Sequence, residues 1–378
     1  MTHLAVIFTN FGPYHVARLQ ALANHCQRLG WQCTGIELAR TEADYQWRVD
    51  LDHFLFKTIS IVPDRPLEAI PFPKLGFWVW HTLDDLQPEV LVIAGYARPA
   101  MLTALFWSRQ HRRPAILMSE TTEQDFTRAS IREGIKRTIV SQFSAALVGG
   151  KPHTRYLQKL GMAPEAIFSG YDVVGNERFH PDRIRSLPSP HPRSYFLSIN
   201  RFLPKKNLSF LITAYSQYRK KAGATNWDLV ICGDGLLRDD LEQQIRQLDL
   251  QEHIHLPGFL QQDELLPYFA HARCLIHASL QEQWGLVVNE AMAAGLPVLV
   301  SNRCGCFEDL VQDGITGFGF DPTDASQLTE LMGKLSTGAI DAQQMGENAL
   351  GHIQNYSPDR FAENLIAATN YALHPRSK

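Results

Sequence analysis

Short apolar runs rich in β-branched residues recur along the chain, each closed by a glycine, proline or asparagine and followed by apolar residues at helical spacing. Strands buried on both faces read as continuous apolar runs, and successive parallel strands need a crossover helix, so this alternation points to parallel sheets. "LAVIFT" (4–9) is followed by Asn10, Gly12 and Pro13, then by the helical pattern of "YHVARLQALANHCQRLG" and the strand "WQCTGIEL". "VLVIAGY" (90–96), "AILMSE" (115–120) and "AALVGG" (145–150) continue the series. The polar, proline-rich "NERFHPDRIRSLPSPHPRS" (176–194) interrupts it. A second series then runs through "YFLSINR", "WDLVICG", "IHLPG", "RCLIHAS" and "PVLVS". The expected α/β architecture is two Rossmann-like domains, 1–185 and 186–356, with an amphipathic helix at 357–378, opened by Ser357 and Pro358, packing back on the first.

At 378 residues the chain is long enough for two cores, and 45% hydrophobic with 20% charged residues is the composition of a folded globular protein. The formal net charge of -3 supplies no general basic field, so no nucleic-acid partner is expected and any anion site must be local. The six cysteines lie mostly in apolar runs without zinc-like spacing, so no metal and no disulfide framework is expected. No segment approaches the ~20 apolar residues of a membrane span, and the first fifteen residues lack the basic leader of a signal peptide. The expected location is the cytoplasm.

Glu282 and Glu290 bracket the apolar "WGLVV", between the strand "RCLIHAS" and the strand "PVLVS". Gly285 marks a loop there, and "LVVNEAMAA" is a short helix ended by Gly295. Both glutamates then sit by the carboxyl end of a parallel strand and the N-terminus of a helix, where open α/β sheets bind ligands and free N–H groups favour anions. A glutamate in a loop or on a helix face is most often a solvated charge. The neighbourhood argues against that here: Arg201 and Lys206 follow another strand, and Gly233 and Gly235 close a third, where lack of a side chain lets a ligand approach backbone. Cations, carboxylates and glycine turns at successive strand ends suit a ligand bearing both phosphates and hydroxyls.

"NRFLPKKN", "ICGDGLLRDDL", the run from "IHLPGFLQQDELL" to "GLPVLVS", and "CGCFEDLVQDGITGF" occur in that order between 195 and 322. Together they resemble the nucleotide-sugar-binding domain of family 4 glycosyltransferases of the GT-B fold, over about a third of the chain. The N-terminal half is similar only in its strand–helix pattern and in phrases such as "NFGPYHVARLQAL" and "GGKPHTRYLQKLG". The resemblance implies two Rossmann-like domains whose parallel sheets face a central cleft, and a hexosyltransferase-type enzyme (EC 2.4) that retains anomeric configuration. The acceptor would attack from the same face as the departing diphosphate, which takes the proton, without metal or cofactor; the donor substrate would be a nucleotide-diphosphate sugar.

By the same resemblance Arg201 and Lys206 bind the diphosphate, Glu282 meets donor-sugar hydroxyls and Glu290 holds the ribose. Backbone near Gly233, Gly285, Leu286 and Val287 would face the phosphates, and backbone near Phe259 and Leu260 would border the base. Glu282, Arg201 and Lys206 are thus the residues expected to carry catalysis, through binding and electrostatics rather than general-base chemistry. Many family members carry a histidine just after the strand matching "AILMSETTEQD"; here Ser119 and Glu120 stand there, and with Gly12 and His15 they are the acceptor-side candidates. Basic residues on the helix near 128–140 alternate with Ile131, Ile135 and Ile139, a pattern consistent with peripheral contact at an anionic inner membrane face or with a core stripe under solvated charges. The rival functions are a GT-B nucleotide-sugar epimerase or hydrolase and a non-catalytic nucleotide-sugar-binding protein.

Overall fold

A computed structural model describes residues 2–41, 56–125, 130–221 and 226–374. The contacts divide the chain into two units, Met1–Gly175 with Tyr356–Lys378, and Asn176–Asn355. In the first, β1 (His3–Phe8), β2 (Gln32–Thr41), β3 (Lys57–Pro66), β4 (Val90–Ala94), β5 (Ala115–Ser119), β6 (Ala145–Val148) and β7 (Ile167–Ser169) form one sheet in the order β3-β2-β1-β4-β5-β6-β7. In the second, β8 (Tyr195–Ile199), β9 (Asp228–Cys232), β10 (Ile254–Gly258), β11 (Cys274–His277), β12 (Val298–Ser301) and β13 (Gly317–Phe320) follow the order β10-β9-β8-β11-β12-β13. Every pairing is parallel, for example Leu4 against Val90 and Leu197 against Leu275. The strand order therefore reverses between β1 and β4 in one sheet and between β8 and β11 in the other, and it is outside the carboxyl ends at such reversals that open α/β sheets hold ligands.

Central strands carry the apolar runs because both their faces are covered: Leu4 to Ile7, Val90 to Ile93 and Leu229 to Cys232 are all 1% exposed or less. Three strands that the apolar runs do not announce, β3, β7 and β13, all lie at sheet edges. An edge strand has one neighbour and less cover, so β3 keeps polar residues along most of its length and β7 is only three residues long. In β13 the glycines are steric: a Cβ on Gly317 would fall 2.0 Å from the Val298 carbonyl oxygen.

The division between the units falls at Gly175/Asn176, earlier than the expected 185/186, and the reason is packing. Phe179, within the proline-rich stretch, is buried and meets the Phe269 ring edge-on at 5.4 Å, while the Asn176 amide donates to the Ile353 carbonyl at 3.0 Å; all four residues belong to the second unit. The helix Pro358–Leu373 belongs to the first unit, where Phe361, Leu365 and Ala368 are fully buried in the core beneath β6 and the helix Pro13–Arg28. Ser357 caps it by accepting from the Arg360 N–H. Ile131 (81% exposed) and Ile135 (56%) on the helix Ser130–Val140 are surface residues and only Ile139 packs on the core, so the isoleucine stripe is not a core stripe; residues 128 and 129 of that stretch lie outside the described residues. Among the described residues no helix is long and apolar enough to cross a membrane.

Replacing Phe361 by alanine is expected to destabilise the first unit by about 3–5 kcal/mol, the usual cost of emptying a fully buried phenylalanine site. Urea denaturation followed by tryptophan fluorescence reads the loss.

Candidate functional site

Two loops meet at the strand-order reversal of the second sheet. After β8 the chain makes a short 3-10 turn, Pro204–Lys206, ended by Asn207 in the left-handed conformation (φ 59°). After β11 it runs through Ser279 to Gly285, and the Leu280 N–H donates to the Lys205 carbonyl at 2.8 Å. That bond brings Lys206 to Glu282: the ammonium donates to Glu282 Oε2, with the two side chains only 12% and 14% exposed. The same oxygen lies 3.1 Å from His277 Nε2 and accepts from the Ser279 hydroxyl at 3.3 Å.

The protonation states follow from these contacts. Burial alone would raise the Glu282 carboxyl, but the His277 hydrogen bond and the Lys206 ammonium outweigh it and hold the group well below the usual carboxylate range. Burial pushes the His277 imidazole below its ordinary value despite the adjacent carboxylate. A neutral His277 that donates through Nε2 leaves Nδ1 as a bare acceptor, and Nδ1 is buried with no hydrogen-bond partner among the described residues. Glu282 is thus an ionised, already engaged carboxylate: suited to accepting hydrogen bonds from hydroxyls, and poor as a proton-abstracting base. Lys206 has three N–H donors, of which Glu282 takes one.

Gly285 opens the helix Leu286–Ala293 with φ 106°, a left-handed conformation that a side chain would strain. A Cβ there would also press on His277 Nε2 at 3.2 Å and Glu282 Cγ at 3.4 Å. No side chain caps this helix, and the first N–H groups of a helix, here those of Leu286 and Val287, have no intrahelical acceptor. Glu290 is on the same helix and buried, 3% exposed. Neither glutamate is a solvated surface charge. The loop is pinned from its far side: Gly305 N–H donates to the Glu282 carbonyl at 3.0 Å and Cys306 N–H to the Trp284 carbonyl at 3.2 Å, while the Trp284 indole donates to Asn289 at 2.8 Å. Cys304 and Cys306 are buried free thiols whose ionisation burial strongly opposes, which makes the "CGC" turn a packing element.

The other expected donor-site residues occupy neighbouring strand ends. Arg201 is exposed just beyond β8. Phe259, 46% exposed, and Leu260 follow β10. Gly233 follows β9, but its missing side chain serves the protein's own backbone: a Cβ would sit 1.8 Å from the Asn200 carbonyl oxygen, and φ is 132°. Gly235 is pressed in the same way against Phe202, so these glycines let two loops of the site close on each other.

The acceptor-side candidates gather on the first unit's own strand ends. Gly12 caps the helix Pro13–Arg28 and donates its N–H to His15 Nδ1 at 3.0 Å. The His15 ring lies on Phe8 at 4.4 Å, and burial, helped by Arg18, pushes its pKa down to about 3, so it is a neutral, half-buried histidine. Ser119, the last residue of β5, is buried and accepts from the Thr121 N–H at 3.3 Å. Burial and the nearby Glu120 charge raise the Asp172 carboxyl well above its ordinary value, against the pull of Arg18. Arg18 is itself 1% exposed, 3.7 Å from Asp172, with its guanidinium over the Tyr171 ring at 4.7 Å. Arg18, Tyr171, Asp172, His277 and Ser279 escaped the sequence reading. A histidine inside the apolar "RCLIHAS" and an arginine among the aliphatics of "VARLQAL" were the signals available.

Residues 180–352 match the family described as glycosyl transferases group 1. The human alpha-1,3/1,6-mannosyltransferase ALG2 is 24% identical over 237 residues, 60% of this chain and 56% of its own length. The chain thus spans about half the length of the curated relatives it matches. An Anabaena protein, Alr3699/HepE, solved in complex with UDP, superposes with a TM-score of 0.74 at 17% identity, covering 98% of this chain and all of that one. A sucrose-phosphate synthase from Thermosynechococcus elongatus gives 0.74 at 18% identity over the whole of both chains. These likenesses show that the chain shares the fold of those solved proteins.

A carboxyl held below its unfolded-state pKa of about 4.3 stabilises the fold above that pH and ceases to do so as the pH falls toward its folded-state value. Glu282→Gln is therefore expected to be less stable than the parent at pH 7, with a gap that narrows below about pH 4 as the parent's carboxylate takes up its proton. Urea denaturation across that range checks it; a gap independent of pH refutes the ion-pair assignment.

Proposed function

We propose that this chain, whose residues 180–352 match the group 1 glycosyl transferase family, moves a hexosyl group (EC 2.4) from a nucleotide-diphosphate sugar to a hydroxyl acceptor, with retention of configuration and without a metal ion. The observation that carries the proposal is the Lys206–Glu282–His277 arrangement beside the uncapped helix at Gly285, at the strand-order reversal of the second sheet. A diphosphate placed against the N–H groups of Leu286 and Val287 receives charge-assisted hydrogen bonds from the helix end. Lys206 and Arg201 add positive charge where negative charge grows as the glycosidic bond breaks. The UDP in the Anabaena protein supports a nucleotide as ligand of such a fold.

Glu282, ionised and held by three donors, accepts from donor-sugar hydroxyls; the buried Glu290 does the same for the ribose. Since Glu282 is a weak base, the acceptor's proton passes to the leaving diphosphate, which departs from the face that the acceptor attacks. Glu120, Ser119, His15 and Gly12 lie on the acceptor side. Ser119 and Glu120, standing where many members of the resembled family carry a histidine, are what favours the alternative of binding without turnover.

Purified protein incubated with labelled nucleotide sugars and a panel of hydroxyl acceptors is expected to give product whose anomeric proton coupling matches that of the donor, at a rate unchanged by EDTA. Lys206→Ala and Arg201→Ala should each lower kcat/KM by about 10²–10³-fold, and Glu290→Ala should weaken donor binding. Donor consumption that no acceptor accelerates would assign the epimerase or hydrolase chemistry instead.

The helix Ser130–Val140 supports a peripheral membrane role on the acceptor side, since exposed Ile131 and Ile135 stand among exposed Arg132 and Arg137. Sedimentation with phosphatidylglycerol vesicles is expected for the parent and lost in Ile131→Glu/Ile135→Glu. Equal sedimentation of both proteins, or of neither, removes this role.

A further inference from the structure

Asp228, the first residue of β9, is 1% exposed and surrounded by three imidazoles from two separate segments. His191 Nε2 lies 2.7 Å and His255 Nε2 3.4 Å from Asp228 Oδ2, and the three ligating atoms all lie within 4.8 Å of one another. His253 Nδ1 lies 3.4 Å from Asp228 Oδ1 on the other side, and its Nε2 meets the Arg219 guanidinium at 2.9 Å. Arg193 Nε is 2.8 Å from Oδ2. In parallel sheets the first residues of β9 and β10 share the N-terminal edge, opposite the carboxyl ends that carry Lys206 and Glu282. This cluster therefore takes no part in the site described above.

We propose that His191, Asp228 and His255 form a site for a divalent transition-metal ion of the zinc type, which clamps the 189–193 segment to the edge of the second sheet. Two imidazole nitrogens and one carboxylate oxygen are a zinc donor set. With ligand bonds of about 2.0–2.2 Å, tetrahedral coordination sets ligand atoms about 3.3 Å apart, so the distances present need only small side-chain movements. The His255 side chain, 34% exposed, leaves an open side for entry of the ion and for a water as fourth ligand. The outer shell is in place too. Among the described residues Asp228 Oδ1 and His253 Nδ1 are buried without a hydrogen-bond partner, so the second carboxylate oxygen is available to receive His253 and Arg193 once Oδ2 turns to the ion. Arg193 is half-exposed, and its Nη2 donates to the Glu252 carbonyl, which keeps the guanidinium beside Asp228 while its Nε turns to the second oxygen. Metal-motif spacing does not reveal such a site, because its ligands are distributed over the linker, β9 and β10.

The test uses the full chain after dialysis against a chelator, titrated with Zn²⁺ and, as a spectroscopic probe, Co²⁺. The parent is expected to bind one equivalent of zinc with a melting temperature raised on the order of 5 °C at a hundredfold excess over Kd, and to show Co²⁺ d–d bands without thiolate charge transfer. His255→Gln and His191→Gln, each checked for fold by circular dichroism, should lose at least tenfold in affinity; His255→Gln alters a partly exposed side chain and stands alone if the other variant misfolds. Absence of binding by the parent, undiminished binding by the folded variants, or a thiolate charge-transfer band placing the ion on cysteines overturns the proposal.

Discussion

The strands of each sheet run parallel and the central ones are buried on both faces, so every strand of a sheet ends along one edge and the connecting loops gather there. Backbone hydrogen bonding fixes this arrangement, and the chemistry inherits it. Lys206 and Glu282 are 76 positions apart, yet they meet because β8 and β11 are neighbours at the reversal of strand order. The backbone bond from Leu280 to Lys205, the turn at Asn207 and the pinning of the Glu282 carbonyl by Gly305 then set the side chains to contact distance.

Burial makes that contact consequential. An exposed lysine–glutamate pair is screened by water and contributes little, whereas these side chains are mostly covered and share a buried imidazole and a serine hydroxyl. The Lys206 ammonium and the His277 hydrogen bond outweigh the burial of Glu282 and keep its carboxylate ionised, while burial keeps His277 neutral. The electrostatics of Glu282 suit the binding role proposed for it and argue against an acid–base role. The Asp228 cluster obeys the same rule at the opposite edge, where one buried carboxylate gathers three imidazoles and a guanidinium.

Much of this was legible in the sequence for a simple reason: a strand covered on both faces must be apolar along its length, so the central strands announce themselves, and glycines mark their turns. The edge strands β3, β7 and β13 were silent because partial cover imposes no such pattern. The unit boundary was displaced because Phe179, inside a stretch that is polar and proline-rich overall, is a core residue of the second unit. Gly233 was noticed as a turn glycine, but the neighbour that requires it, the Asn200 carbonyl, is a tertiary contact.

The sequence alone determined the parallel α/β class, the two cores and the order of the loops that bear Arg201, Lys206, Glu282 and Glu290, since these depend on local hydrophobic period and on turn residues. That Lys206 and Glu282 are ion-paired, that a neutral His277 completes the set, and that Asp228 draws together histidines from two segments depends on tertiary packing. Those are through-space distances and burials, and they arise only when strands distant in sequence are laid side by side.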